Sequence, residues 1–249
     1  MKKWMIISPL VALALWQLLA GVGALGHTPS PVAVVRGIYQ LTVTGLPPGY
    51  RLAGHVLASL ERVLLGFGIA VALAIPLGII MGWSPAFNAV VDPLVEVIRP
   101  IPPLAWLPLT MIWFGIGFIA PAFIIFLGVF FPVLLNTISG VKSVDPHLVE
   151  AARTLGAGEK TVLARVLVPG ALPSIFTGTR IGLGIGWMTL VAAELIAVKN
   201  GYGLGYMIMT ARDVARLDYV VAGMVMIGLI GFLMDRAIKL VEKRALRWR

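Results

Sequence analysis

Apolar positions fall into long blocks along the chain. Six stretches are apolar almost throughout: about residues 4–26, 58–82, 88–115, 119–140, 174–198 and 219–240. A helix needs roughly 20 consecutive apolar residues to cross a bilayer, so the pattern predicts six transmembrane helices. Between the first two lies "HTPSPVAVVRGIYQLTVTGLPPGYRLAGH", which reads as a loop rich in Pro and Gly. The last two are joined by "KNGYGLGYMIMTARDVARLD", with two glycine pairs and a charged, helix-like tail. The first stretch follows Lys2 and Lys3 and imitates a signal peptide. A signal core runs only about 7–15 residues, so the longer stretch here reads as a retained first span.

One segment breaks the pattern. "VEAARTLGAGEKTVLARVLVPGALP", Val149 to Pro173, is charged, helical by pattern, and marked by glycine and proline. Asp145-Pro146 just before it is a helix start, an acidic N-cap followed by proline at the first helical position. A helix then runs through "HLVEAARTL", and Gly156 supplies a C-terminal turn with positive φ. A second short helix, "GEKTVLARVL", is expected to end before Pro169. The hexapeptide "GAGEKT" imitates the end of a phosphate-binding loop. Glu159 and Thr154 stand where that motif needs glycine, and no strand precedes it. ATP binding by this chain is therefore not expected.

The third stretch is also unusual. "RPIPPLAWLPL" carries prolines at 100, 102, 103 and 108, behind Arg99. Proline removes a donor and clashes with the preceding turn, and non-helical backbone at membrane depth survives only when buried in protein or lining a cavity. Arg99, Pro102, Pro103 and Trp106 are thus candidates for a pathway wall. The alternatives are a kinked span packed on a neighbour, an arginine that snorkels to the interface, and a tryptophan in an interfacial belt.

Composition agrees with a membrane protein. The chain is 59% hydrophobic and 12% charged, against about 25% charged in soluble domains. Without cysteine it can have no disulfide framework, thiolate metal site or Cys nucleophile, and three scattered histidines argue against a metal site built on them. The net charge of +9 comes from basic residues flanking apolar stretches, without the interleaved aromatics of a nucleic-acid surface. With both termini in the cytoplasm, fourteen basic residues fall inside and six outside, as the positive-inside rule requires. Residues 145–169 then lie in the cytoplasm, between the fourth and fifth spans.

Those residues carry a family resemblance. Glu150-Ala151-Ala152, three residues, Gly156, nine residues and then Val166-Leu167-Val168-Pro169 resembles the "EAA" loop of ABC-importer permeases. Valines stand at 166 and 168 where that pattern has Ile and Leu. "RPIPPLAWLPLTMIWFGIG" and "PGALPSIFTGTRIGLGIGWMTLVAAELIA" are similar to the nitrate/sulfonate/taurine branch, most of all to taurine permeases, and the similarity covers roughly residues 55–240.

The resemblance implies a type I importer permease fold with a cytoplasmic coupling helix. Glu150, Ala151, Ala152, Thr154, Leu155 and Gly156 would meet a separate ATPase subunit. It implies two ATPase subunits that use ATP and Mg, no cofactor on this chain, a second permease copy, and an extracytoplasmic binding protein. The substrate implied is taurine or another alkanesulfonate, with nitrate or a thiamine-precursor-like solute as alternatives. The expected division is a first span with its outer loop at 1–55, a permease core at 56–240 and a basic tail at 241–249.

Two features of the fifth span remain. Gly178, Gly182 and Gly186 recur at four-residue spacing, which permits close helix packing, either within one subunit or across a dimer. Glu194 is an intramembrane carboxylate, costly and functional by default. It reads either as structural glue bonded to a neighbouring helix or as part of a gate. An ion-coupled secondary transporter should show inverted repeats and paired broken helices, and none is evident. A membrane-embedded enzyme would need a cluster of reactive side chains, and the spans offer Glu194 nearly alone.

Overall fold

The computed structural model describes residues 4–24, 26–46, 49–198 and 201–246. Lys2, Lys3, Lys199, Arg247 and Arg249, used above to orient the chain, lie outside the described residues. The described residues form helices α1 (Trp4–Gly21), α2 (Pro31–Val43), α3 (Leu52–Trp83), α4 (Pro85–Ile98), α5 (Leu107–Phe114), α6 (Ile119–Lys142), α7 (Pro146–Thr154), α8 (Glu159–Val162), α9 (Val168–Ala197), α10 (Leu204–Asp213) and α11 (Leu217–Ala245). No strand occurs among them.

Among the described residues, four helical stretches are long and apolar enough to cross a membrane: Leu52–Trp83, Ile119–Lys142, Glu159–Ala197 and Leu217–Ala245. The third apolar stretch of the sequence is broken. Pro85–Ile98 and Pro103–Phe114 meet at 79° and make a fifth crossing if counted as one span. The first stretch forms the shorter apolar helix α1. Prolines set the break: Pro102 caps a 3-10 turn at Pro103–Trp106, which feeds directly into α5.

The chain divides into two compact units. One comprises Met1–Leu60 with Glu194–Ile230, the other Glu61–Ala193 with Gly231–Arg249. In the first, the expected loop after α1 contains a helix instead. Ser30 caps α2 by accepting from the Ala33 amide, with Pro31 at the first helical position. Proline is welcome there, because its missing N–H has no intrahelical partner to lose. One face of α2 buries Val34 and Leu41. Tyr219 and Arg216 both donate to Gln40 of α2 at 2.9 Å. Arg216 also forks onto Asp218 at 2.9 and 2.8 Å, and that hydrogen bond raises its pKa further above the ordinary arginine range.

In the second unit, α6 supplies the core. Ile124, Ile125, Val129, Val133 and Leu134 are each almost fully buried. The sequence places a helix end before Pro169, and here the structure differs. After α8 the backbone widens into a π turn over Leu163–Leu167 and runs unbroken into α9. The Val168 amide reaches back five residues to the Leu163 carbonyl. Proline stops a helix by removing an N–H and crowding the carbonyl four residues back. A ladder that has already slipped by one residue avoids much of that conflict.

Candidate functional site

The charged segment folds as its local signals require. Asp145 caps α7 by accepting from the His147 amide at 2.9 Å, and Pro146 occupies the first turn. At the other end Gly156 has φ +85°. Its amide bonds the Arg153 carbonyl at 2.9 Å, and the Ala157 amide bonds the Ala152 carbonyl at 3.0 Å, the paired bonds of a Schellman turn. Arg153 spans that turn to Glu159 at the start of α8, 2.9 Å away. An elbow braced in this way holds its tip in place.

The tip is open. The Leu155 side chain is 88% exposed. Glu150, Ala151, Thr154 and Gly156 are exposed too, while Ala152 is half-buried. Glu150 lies 3.8 Å from His147 one turn back, with both side chains in solvent. The elbow therefore presents a small-residue ledge with a leucine at its apex. A solvated loop gains nothing from that arrangement, whereas a protein partner gains apolar burial.

Glu194 is fully buried, in the first unit. Its oxygens accept the Ser59 hydroxyl at 2.9 Å and the Gly205 amide at 2.9 Å. Ser59 in turn accepts the Leu204 amide at 2.9 Å, and the Gly203 amide donates to His55 Nδ1 at 3.1 Å. His55 Nδ1 also lies 2.9 Å from the Gly203 carbonyl, and Nε2 lies 3.2 Å from the Leu46 carbonyl. Three consecutive amides at the start of α10 are thus taken by side chains of α3 and α9. The helix has no cap of its own, since Gly203 occupies that position. A carboxylate at a helix N-terminus meets unsatisfied N–H groups and the positive end of the dipole, which offsets the cost of burying it. Sequence reasoning singled out Glu194 but missed Ser59 and His55, which lie one turn apart on a different span.

The remaining candidates are placed as follows. Gly178, Gly182 and Gly186 face α6 of the same chain. A Cβ at 178 would meet Asn136 Cβ at 2.6 Å, at 182 the Val129 carbonyl oxygen at 3.0 Å, and at 186 Val129 Cγ2 at 2.7 Å. Arg99 and Pro102 are exposed, and Pro103 and Trp106 half-buried, around the break in the third apolar stretch. The structure does not bring these four together with Glu194 in one unit.

One group escaped the sequence reading. Arg180, on α9, lies 3.2 Å from Asp235 and 3.8 Å from Glu242, both on α11. Asp235 also meets Lys239. In the charge balance Arg180 is one of the fourteen basic residues on the inner side. Ionisable side chains inside apolar helices pair with one another and line water-filled routes. The signal was Arg180 inside the fifth apolar stretch, whose other charge is Glu194, and Asp235 beside Arg236 and Lys239 near the end of the sixth.

The profile of the binding-protein-dependent transport system inner membrane component family matches residues 74–247. The chain belongs to that family. It is 45% identical over 246 residues to a putative ABC transporter permease of Methanocaldococcus jannaschii, covering 97% of this chain and 90% of that one. It is 45% identical over 223 residues to the taurine transport system permease of Escherichia coli, covering 88% and 79% respectively. A putative aliphatic sulfonates transport permease of Bacillus subtilis is 37% identical over 250 residues, covering 99% and 88%. Among solved structures, the MetNI methionine ABC transporter in an inward-facing form superposes with a TM-score of 0.67 at 18% identity. That match covers 78% of this chain and 95% of that one, and it supports the permease fold. The permease is thus a membrane component of an ABC importer, of the taurine, sulfonate and nitrate group.

Proposed function

We propose that this permease carries a small organic sulfonate, taurine or a close alkanesulfonate, across the membrane at the expense of ATP hydrolysed by two partner subunits. Both termini and residues 145–169 lie in the cytoplasm, and two copies of the chain enclose the route. An extracytoplasmic binding protein delivers the solute. The chain does no bond chemistry. It needs two packings of its spans whose balance the ATPase shifts. The taurine and sulfonate names of its relatives support the substrate; a relative named a nitrate import permease is 34% identical.

The observation that carries the coupling role is the elbow at Leu155. A braced turn with an 88% exposed leucine at its tip suits insertion into a groove on the ATPase. Glu150, Ala151, Ala152, Thr154 and Gly156 form the ledge around it. Replacing Leu155 with Asp removes the apolar contact and buries a charge in its place, at a cost of a few kcal/mol. The expected result is loss of ATPase co-purification in detergent, by tenfold or more, with an unchanged elution volume for the permease itself. A Leu155→Asp chain that retains a full complement of ATPase sinks the coupling reading.

A further inference from the structure

The group around Arg180 ties α9 to α11 next to an open space. Beside it lies a cavity of about 280 Å³, lined by Arg180, Leu183, Trp187 and Met188 of α9 and by Met234 and Asp235 of α11. All belong to the second unit. Gly231 contributes room, since a Cβ there would meet Trp187 Nε1 at 3.0 Å. Gly184 opens onto the cavity, and a Cβ at that position meets nothing within 4 Å. The lining therefore holds a guanidinium from α9 and a carboxylate from α11, 3.2 Å apart, among apolar side chains.

Each of these charges has a second partner. Arg180 keeps Glu242 at 3.8 Å, and Asp235 keeps Lys239. The group holds two cations and two anions. If a ligand parts Arg180 from Asp235, neither is stranded, which is the condition for opening a partly buried pair cheaply. A plain anion would engage Arg180 but would face the Asp235 carboxylate beside it, and like charges repel. A solute carrying both signs satisfies both walls.

We propose that this cavity is a transit site for a zwitterionic aminoalkanesulfonate, with the sulfonate on Arg180, the ammonium on Asp235 and the short carbon chain against Trp187. The proposal rests on the reading of this chain as a sulfonate permease and narrows it to solutes with an amino group. Arg180 and Asp235 are then specificity residues in the membrane, acting after the binding protein has released its load.

The test uses the permease–ATPase complex in detergent without binding protein, and the whole transporter in cells. Equilibrium binding of radiolabelled taurine is compared with that of isethionate, in which a hydroxyl replaces the ammonium. The native complex is expected to prefer taurine at least tenfold. Asp235→Asn brings the ratio close to one, a change that a purely structural ion pair does not produce. Arg180→Gln abolishes binding of both. Gly184→Leu fills the cavity without touching the ion pair and also abolishes binding, with ATPase co-purification intact. Assembled variants that keep the native taurine to isethionate ratio overturn the proposal. So does a native complex that binds neither solute while cells take up taurine. Cells with the native transporter that take up no sulfonate at all refute the broader substrate reading instead.

Discussion

Glu194 illustrates what a single buried charge does here. Its carboxylate ends a chain of bonds from the Leu204 amide through Ser59, and it takes the Gly205 amide directly. Exchanging Glu194 for Gln keeps the volume but turns one acceptor into a donor, which then faces another donor. Hydrogen bonds to a charged group are worth about 1.5–3 kcal/mol, so Glu194→Gln should cost about 2 kcal/mol. The expected readout is faster proteolytic cleavage near residues 201–206 and a lower thermal midpoint in detergent. Ser59→Ala should follow in the same direction, more weakly. An unchanged midpoint and cleavage pattern for Glu194→Gln would mean that the carboxylate does not hold the start of α10 in place. The residue itself was legible, because a lone acid in an apolar stretch stands out. Its partners were not. Ser59 lies 135 residues away, and no local pattern marks a serine in a span as the one that meets it.

Elements were legible where their signals are local. The Asp145-Pro146 start and the Gly156 stop of α7 need only a few neighbouring residues, and both are found. Proline was over-read twice. Pro31, in a stretch that reads as a loop, starts a helix because Ser30 caps it. Pro169 reads as a stop, but the π turn upstream carries the helix past it. That turn matters for the coupling reading, because it sits between the elbow and α9. Each residue of an α-helix turns the backbone by about 100°. Deleting one residue, Arg165, lets the ladder return to four-residue bonds at that pitch and removes the wide turn between the elbow and α9. The expected outcome is a permease that inserts normally but loses transport at least tenfold, whereas Arg165→Ala transports normally. A deletion that leaves transport intact separates the π turn from coupling.

Across the whole molecule, the proposed function needs one orientation, with the Leu155 elbow on the ATPase side of the membrane. The charge distribution favours it, fourteen basic residues against six. Structure alone does not carry sidedness, because a helical bundle inserts either way up with the same internal bonds. The sequence offers a direct route to an answer, because the chain has no cysteine and any single one introduced reports its own location. Leu155, Asp213 and Leu246 lie outside or at the ends of the long apolar helices. Leu155→Cys and Leu246→Cys should react with a membrane-impermeant maleimide only in inverted vesicles. Asp213→Cys should react in intact spheroplasts. If Leu155→Cys reacts from outside, a cytoplasmic ATPase has no access to the elbow and the coupling reading falls, while the fold and the family assignment stand. If all three react as expected, the half of the chain that binds ATPase and the half that receives solute are fixed by the same experiment. The Arg180–Asp235 pair then lies toward the cytoplasmic end of its spans, on the far side from the binding protein, where a solute already released into the membrane would meet it.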